Sequence, residues 1–507
     1  MSSLYMICLD RIYGFLKEGM WKSCTPNPFS DLPTKAVNEL MDLTDDKKDY
    51  SKIGDVLLLL TSGRLTRLDL CFCNMEIEQD LIVSEIEKTG SICLRNLASN
   101  SEEIIFHFVR NIISLNPYLQ EFHSRVHPGF DVFLKCPNLR ILKICYSTIY
   151  SKCPINNAPI DLSVLSSLRN LEVFHIPRMG TDLIQNVLEI CPKLISIGTN
   201  DSLDSLKEIA QRRQMNSLLN FDVDRHFQLR RCAWGKNYRS KNRHERRVYN
   251  SSFRDKVISA VNLCPLVQEL IIHVHQKDGY EALHCLKQLT LLRIHFENCL
   301  GDFLPDFVAL LQQIGPQLKH LSVSGKEEPS RRSDGVPVDV ISDCCPYLQS
   351  LEIWSSIFLN NSSKCSCDLA LKRLTLYVQQ PDVDEEIHDE EESLLFLLSN
   401  SKHLEELYLE SAESLNDALL NQIFERNPFS QLRMSCVEES SLTREGFQMF
   451  LEKAASIETV LVSSDGEQHF YDAIRLFKDA NIRYSKEFYA YVKLKEFFYC
   501  RLNEKRF

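Results

Sequence analysis

Glycine is scarce in this sequence, with 16 residues in 507. Loops that cradle phosphate groups depend on clustered glycines, and neither a G-x-x-x-x-G-K-[ST] nor a G-x-G-x-x-G pattern is present. The H-E-x-x-H pattern of metalloproteases and the G-x-S-x-G pattern of serine hydrolases are missing as well. The chain is therefore predicted to be no enzyme and to use no cofactor.

Long apolar runs are also missing, since no stretch approaches the roughly 20 residues that cross a membrane. Asp10 comes early, and no basic region precedes an apolar run, so a signal peptide is not expected. The net charge of −11 argues against general nucleic-acid binding. The 19 cysteines lack zinc-site spacing, which predicts no metal and free thiols in the cytoplasm, the nucleus or both.

A short pattern recurs instead, C-P-x-L-x-x-L-x-I. It is complete at Cys136–Ile144 and Cys345–Ile353, and close variants begin at Cys191 and Cys264. Copies without the Cys or the Pro begin at Leu65, Leu171, Leu289, Leu318, Leu371, Leu404 and Ile457. The interval between copies is mostly about 20 to 35 residues, which is close to the range of leucine-rich repeats.

Each copy predicts a short strand whose alternate residues point inward, followed by a helix. Proline ends the helix, and the cysteine before it behaves as a small apolar residue. Such a unit cannot bury its own apolar face, so the units must stack. The chain resembles the leucine-rich-repeat family over about four fifths of its length. This predicts an α/β solenoid, a horseshoe with a largely parallel sheet and outer helices, over residues 63–469.

Residues Ser3–Glu18 predict a helix that ends at Gly19. At 100° per residue one apolar face collects Leu4, Tyr5, Cys8, Leu9, Ile12, Phe15 and Leu16. The stretch S-L-Y-M-I-C-L-D-R-I resembles the elongin-binding box of cullin-RING ubiquitin-ligase receptors. This resemblance implies that Leu4, Cys8 and Ile12 bind the elongin B/C adaptor. A helix that only caps the repeats is the alternative interpretation.

Leu32-Pro33 leads into a second predicted helix, with the proline in its first turn. In elongin-binding receptors a Leu-Pro helix after the box contacts the cullin, and this form is similar to the cullin-2 type. The same residues also resemble the start of an F-box, which would bind a Skp-type adaptor. Residues 1–62 are therefore predicted to be a helical adaptor-binding region.

The order of box, Leu-Pro helix and repeats resembles the zyg-eleven and zer-one receptors. Those receptors carry an armadillo-like domain that reads glycine degrons, whereas here residues 470–507 suffice only for a helical cap. The resemblance therefore does not imply that this chain recognises glycine degrons. The resemblance implies a receptor that recruits protein substrates to a cullin-RING ligase, and the alternatives are an F-box receptor and a repeat scaffold without a ubiquitin role.

Residues 225–256 interrupt the repeats with many basic and several aromatic side chains. Arg243, Arg246 and Arg247 are the candidate binding patch for an acidic partner, through guanidinium forks. A solvated loop and nucleic-acid binding are the alternatives. The acidic run at residues 382–392 is predicted to be an exposed loop.

Charge reversal of Arg243, Arg246 and Arg247 to glutamate should weaken capture of an acidic partner. The effect should shrink as salt is raised, because exposed charges are screened over about 8 Å at physiological ionic strength. Binding of the parent and the triple variant can be compared in a salt titration. Unchanged binding would identify the segment as a solvated loop.

Overall fold

The computed structural model describes residues 4–21, 24–46, 56–70, 101–124, 127–144, 162–176, 179–217, 226–235, 252–276, 278–299, 303–326, 335–360, 368–377, 387–410, 412–437, 440–462 and 483–484. The chain forms two compact units. The first comprises Met1–Asn200 with Phe227–Leu229, and the second comprises Asp201–His226 with Arg230–Phe507.

The first unit begins with helices and continues with strands that alternate with helices. Its elements are α1 (Leu4–Glu18), α2 (Thr34–Asp46), α3 (Val56–Leu60), β1 (Arg67–Asp69), α4 (Ser101–Leu115), β2 (Glu121–Ser124), a 3₁₀ helix (Asp131–Lys135), β3 (Ile141–Ile144), α5 (Leu162–Ser167), β4 (Val173–His175), α6 (Thr181–Ile190) and β5 (Ser196–Asp201). The strands lie side by side in chain order, and all of them pair in parallel.

The second unit repeats this arrangement. Its elements are α7 (Leu203–Ser217), β6 (Arg231–Trp234), α8 (Phe253–Leu263), β7 (Glu269–Val274), a 3₁₀ helix (Tyr280–Cys285), β8 (Leu291–Cys299), α9 (Leu304–Ile314), a 3₁₀ turn (Gly315–Gln317), β9 (His320–Lys326), β10 (Val336–Pro337), α10 (Val338–Cys344), β11 (Ser350–Trp354), β12 (Ile357–Phe358), β13 (Arg373–Tyr377), α11 (Ile387–Asn400), β14 (Glu406–Glu410), α12 (Asp417–Arg426), β15 (Met434–Val437), α13 (Arg444–Lys453), β16 (Thr459–Val462) and β17 (Arg483–Tyr484).

The main sheet of the second unit is also parallel and in chain order, from β6 to β17. Only β10 and β12 leave this order and pair with each other. Strand, helix and next parallel strand therefore succeed one another as the leucine-rich-repeat pattern predicts. The predicted fold class is confirmed.

The core lies between the sheet and the helices, because alternate strand residues are buried in register. Leu68, Phe122, Leu142 and Phe174 are successive register partners in the first unit, and all are buried. The ring of Phe122 contacts Phe133 of the 3₁₀ helix, with centroids 5.4 Å apart. One face of the sheet is thus covered by helices, as the strand period of two requires.

The C-P-x-L stretch forms a turn that joins each helix to its strand, with its Cys and Leu buried and its two central residues exposed. The N–H of Leu139 donates to the carbonyl of Cys136 at 3.1 Å, and Pro137 occupies a turn position that needs no donor. The same bond joins Leu194 to Cys191 and Leu348 to Cys345. Because each of these cysteines is buried at the end of a helix, the sequence interpretation of a small apolar residue holds.

The predicted position of Pro33 can be compared with the structure, whereas most of the predicted C-terminal cap cannot. Helix α2 begins at Thr34, and Pro33 accepts a hydrogen bond from Val37 N–H through its carbonyl at 3.2 Å. Pro33 is therefore the residue flanking the helix, not a member of its first turn. The predicted C-terminal cap at 470–507 lies outside the described residues, except Arg483 and Tyr484, which pair with β16.

Native alkylation should separate the turn cysteines from the exposed ones. Burial raises the pKa of the Cys136 and Cys191 thiols to about 11 and that of Cys345 to about 12, and only a thiolate reacts readily. Iodoacetamide at pH 8 should label the exposed Cys8 and leave these three intact until the chain is unfolded. Peptide mass spectrometry measures the labelling, and rapid native labelling of Cys136 would contradict the burial of its thiol.

Candidate docking helix and open face of the sheet

Helix α1 is attached to the first unit by one side only. Leu9 and Leu16, seven residues apart, are buried at 2% and 3% exposure. The hydroxyl of Tyr5 donates to Glu39 Oε2 of α2 at 2.5 Å. Gly19 ends the helix with a φ of 73°, a conformation that glycine adopts without steric cost. These contacts fix the orientation of the helix.

Next to this attached side, α1 carries apolar side chains to the surface. Leu4 is 78% exposed, Cys8 is exposed, and Ile12 is half-buried. These three stand four residues apart and form one row along the helix. Met6 and Ile7, which project from other sides of the helix, are also exposed. The structure therefore presents all three predicted adaptor residues on one side of α1, next to further apolar surface.

The seven residues of the predicted apolar face of α1 differ in burial. They divide between the interior and the exterior. Leu9 and Leu16 pack inward, whereas Leu4, Tyr5 and Cys8 remain exposed. The division leaves an apolar row that a capping role for α1 does not use.

The Leu32-Pro33 segment lies in a loop held by hydrogen bonds. Asn27 Nδ2 donates to the carbonyl of Leu58 at 2.7 Å, and Arg64 Nε donates to the carbonyl of Ser30 at 2.7 Å. Within this loop Leu32 is half-buried and Pro33 is exposed. The predicted cullin-binding pair thus stands at the N-terminal end of α2, while Val37 and Leu40 of that helix are fully buried.

The sheet of the second unit has a face opposite the helices, here called the open face. Six of its residues follow one another in register on β7, β8, β9, β11, β13 and β14: His273, His295, Ser324, Trp354, Tyr377 and Glu410. They alternate with the buried residues Ile272 and Ile294 and their equivalents. We call this line the open-face row.

Aromatic and charged side chains of the open face are held by specific contacts. The rings of Trp354 and Tyr377 stack with centroids 5.2 Å apart and planes 21° apart. Trp354 Nε1 donates to Glu352 Oε1 at 2.7 Å. Arg293 lies 3.7 Å from the second oxygen of Glu352, and its side chain is only 13% exposed. These contacts hold the two rings and the two charged side chains in defined positions on the open face.

Histidines make up the other end of the open-face row. The rings of His273 and His295 meet edge to face with centroids 5.1 Å apart, and His295 Nδ1 lies 2.7 Å from Ser324 Oγ. Burial lowers the pKa of His273, so its ring is neutral at pH 7. Its Nδ1 is buried without a hydrogen-bond partner in the described part of the chain. The neutral ring of His273 offers hydrogen-bonding groups rather than charge.

Sequence reasoning missed the open-face row. These residues have no motif of their own, because they differ in type from one strand to the next. The repeat itself contained a signal. In each strand, the residue directly after the second conserved apolar residue lies on the open face of the sheet. Applying that offset to every copy would have selected Trp354 and Tyr377.

The basic segment is only partly described. Arg243, Arg246 and Arg247 lie outside the described residues, so their role stays a prediction. Three other members of the segment are structural: Trp234 is fully buried, Arg231 pairs with Glu269 at 3.2 Å, and the buried Lys256 pairs with Asp204 at 2.6 Å. Trp234 is therefore not available for stacking on a partner.

The described residues provide neither a membrane span nor a metal-binding cluster. No helix among them is long and apolar enough to cross a membrane. They contain no group of three or more histidine, cysteine, aspartate or glutamate side chains that could hold a metal ion. Of the acidic run, residues 387–392 belong to α11, and the rest lies outside the described part of the chain.

Comparison with known proteins yields structural neighbours only, since no family model and no curated protein matches the chain. An internalin of Listeria monocytogenes is 12% identical, with a TM-score of 0.37, over 75% of this chain and 88% of its own. The yeast Rad7 and Elc1 complex is 11% identical, with a TM-score of 0.32, over 81% and 98%. A leucine-rich-repeat protein of Leptospira interrogans is 12% identical, with a TM-score of 0.27, over 70% and 92%.

These likenesses are too low to carry an argument about function. The fold assignment rests on the strand, helix and turn pattern of the chain itself. That pattern defines a leucine-rich-repeat fold.

Proposed function

We propose that this chain is the substrate-recognition subunit of a cullin-RING ubiquitin ligase. Helix α1 would bind the elongin B/C adaptor, and the Leu32-Pro33 segment would contact a cullin of the cullin-2 type. The repeats would hold a protein substrate within reach of the ubiquitin-charged enzyme. In this role the chain performs no chemistry and accelerates transfer by proximity.

The exposed row on α1 carries the proposal. An apolar side chain as exposed as Leu4 contributes nothing to the stability of the folded chain, but it can anchor a partner. Its spacing to Cys8 and Ile12 matches the resemblance to the elongin-binding box. Cys8 is small, so a second helix can approach closely at that position. Leu9 and Leu16 already attach α1 to its unit, so the row is available without loss of the fold.

Combined Leu4→Ser and Cys8→Phe substitutions should abolish capture of the elongin B/C adaptor. Truncating a buried interface anchor often costs about 2 kcal/mol or more, roughly a thirtyfold loss of affinity, and the larger Phe would hold the helices apart. The measurement is adaptor affinity by titration, with the melting temperature of each sample recorded alongside. Because both positions are exposed, the melting temperature should stay unchanged.

Met20→Ser is the matched control, since Met20 is an apolar residue at 59% exposure just beyond α1. It should bind the adaptor as the parent chain does. Retained binding by the double variant would remove the main support for the proposal. Failure of the parent to bind elongin, with capture of a Skp-type adaptor instead, would identify an F-box receptor. Lowered stability of the double variant would favour the capping role.

Leu32→Ser combined with Pro33→Ala should separate cullin binding from adaptor binding. These residues lie outside α1, so the adaptor should still be captured, while the cullin should be lost from the complex. Pull-down of the variant with purified adaptor and cullin measures both. Pro346→Ala, an exposed proline in a distant repeat turn, is the control. Equal cullin capture by all three chains would exclude Leu32 and Pro33 from the contact.

A further inference from the structure

We propose that Cys285 is a modification site, at which its thiol exchanges with a small disulfide and His284 is the base that takes the thiol proton. Both residues belong to the end of the 3₁₀ helix Tyr280–Cys285 in the second unit, whereas α1 belongs to the first. The inference goes beyond the proposed function and does not depend on adaptor binding.

The thiol and the imidazole are in direct contact. The Sγ atom of Cys285 lies 3.4 Å from Nε2 of His284, and Nδ1 of the same ring lies 2.7 Å from the carbonyl oxygen of Glu281. Because a carbonyl oxygen only accepts, Nδ1 carries a proton, and in the neutral ring Nε2 is left as the acceptor. The S–H group therefore donates to Nε2, which is the arrangement in which a histidine removes the proton of a nucleophilic thiol.

The carbonyl that orients the imidazole is itself held in place. The carboxylate of Glu281 accepts a hydrogen bond from Gly279 N–H at 2.5 Å and pairs with Arg254 at 3.4 Å. Leu283 and Leu286, on either side of the Cys–His pair, are fully buried and anchor this stretch to the core. Nucleophile, base and orienting carbonyl thus stand on one short anchored helix, so little rearrangement precedes proton transfer.

Exposure brings the thiol within reach of a reagent in solvent. Cys285 is exposed, and so are Cys8 and Cys24, here called the reference thiols. Neither reference thiol contacts a histidine in the described part of the chain. The imidazole therefore distinguishes Cys285 from two other exposed cysteines of the same molecule, which serve as internal controls.

The exchange needs no reagent other than the disulfide. The proton of the Cys285 thiol passes to His284 Nε2, and the thiolate sulfur attacks one sulfur of the disulfide. A new S–S bond forms as the old one breaks, and the departing thiolate takes the proton from the imidazolium. The products are a mixed disulfide at Cys285 and one molecule of free thiol, and an excess of a small thiol reverses the reaction.

The probe is 2-hydroxyethyl disulfide, which is uncharged, so the net charge of −11 does not influence its approach to the full chain. At pH 7 the mixed disulfide should form about five- to tenfold faster at Cys285 than at the reference thiols, because an exposed thiol without a base is only a few per cent thiolate. Peptide mass spectrometry of acid-quenched samples measures the three rates in one experiment.

His284→Gln and His284→Phe both remove the base, and the second keeps a flat ring beside the thiol. Each should lower the rate at Cys285 to that of the reference thiols, whose own rates should stay unchanged. His226→Gln is the matched control, because His226 is also exposed and its Nδ1 lies 3.0 Å from the carbonyl oxygen of Asn262. This control should leave all three rates as they are in the parent.

Three results would overturn the inference: equal rates at Cys285 and the reference thiols in the parent chain, a Cys285 rate unchanged by His284→Gln, or an equal slowing by His226→Gln. The first comparison needs no variant, so it decides the inference even where a substituted chain fails to fold. Elongin affinity is measured separately, so failure of the ligase proposal leaves the exchange rates unaffected.

Discussion

Successive repeats of this chain are joined by a forked hydrogen bond at the start of each strand. The carbonyl of Gln120 accepts from both Arg140 and Ile141 N–H, at 2.7 and 2.9 Å. The carbonyls of Lys319, Gln349, Lys372 and Glu405 do the same for the strands that follow them. Because the turn delivers each strand at a set position, this bond fixes the register, and a slip of one residue would reverse every side chain.

The remaining features of the two units depend on that register. In the first unit it aligns Leu68, Phe122, Leu142 and Phe174 into a continuous core. In the second it brings Trp354 beside Tyr377, although these residues belong to different repeats. Recognition by such a surface needs rigid positions rather than reactive groups. The buried, high-pKa thiols of the turns fit this interpretation, since they serve packing.

Helix α1 depends less on neighbouring elements for its conformation than the repeat strands do. Its backbone hydrogen bonds lie largely within the helix, and Leu9, Leu16 and Tyr5 are among the residues that attach it to its unit. A repeat strand, in contrast, has no stable conformation without its neighbours. This independence is what allows one side of α1 to carry exposed apolar residues. The exposed row of α1 and the open face of the second unit can therefore be altered separately by mutation.

Periodicity in the sequence was sufficient to predict the fold. The spacing of leucines placed strands such as Ile141–Ile144, and Pro after the cysteine placed the helix ends, because both depend on local geometry. The limits of α1 were predicted to within one residue for the same reason. The adaptor residues Leu4, Cys8 and Ile12 could also be selected from spacing along a single helix.

Which side of each element is buried depended on neighbours distant in the chain. Composition suggested that Trp234 and Lys256 belong to an accessible basic patch, but Trp234 packs in the core and Lys256 pairs with Asp204. The Trp354–Tyr377 pair was missed because adjacent strands must first align before the two rings can meet. Local periodicity specifies an element and its two faces. Residues of different strands come into contact only when the repeats stack, because the register between strands is not encoded in the sequence of any single strand.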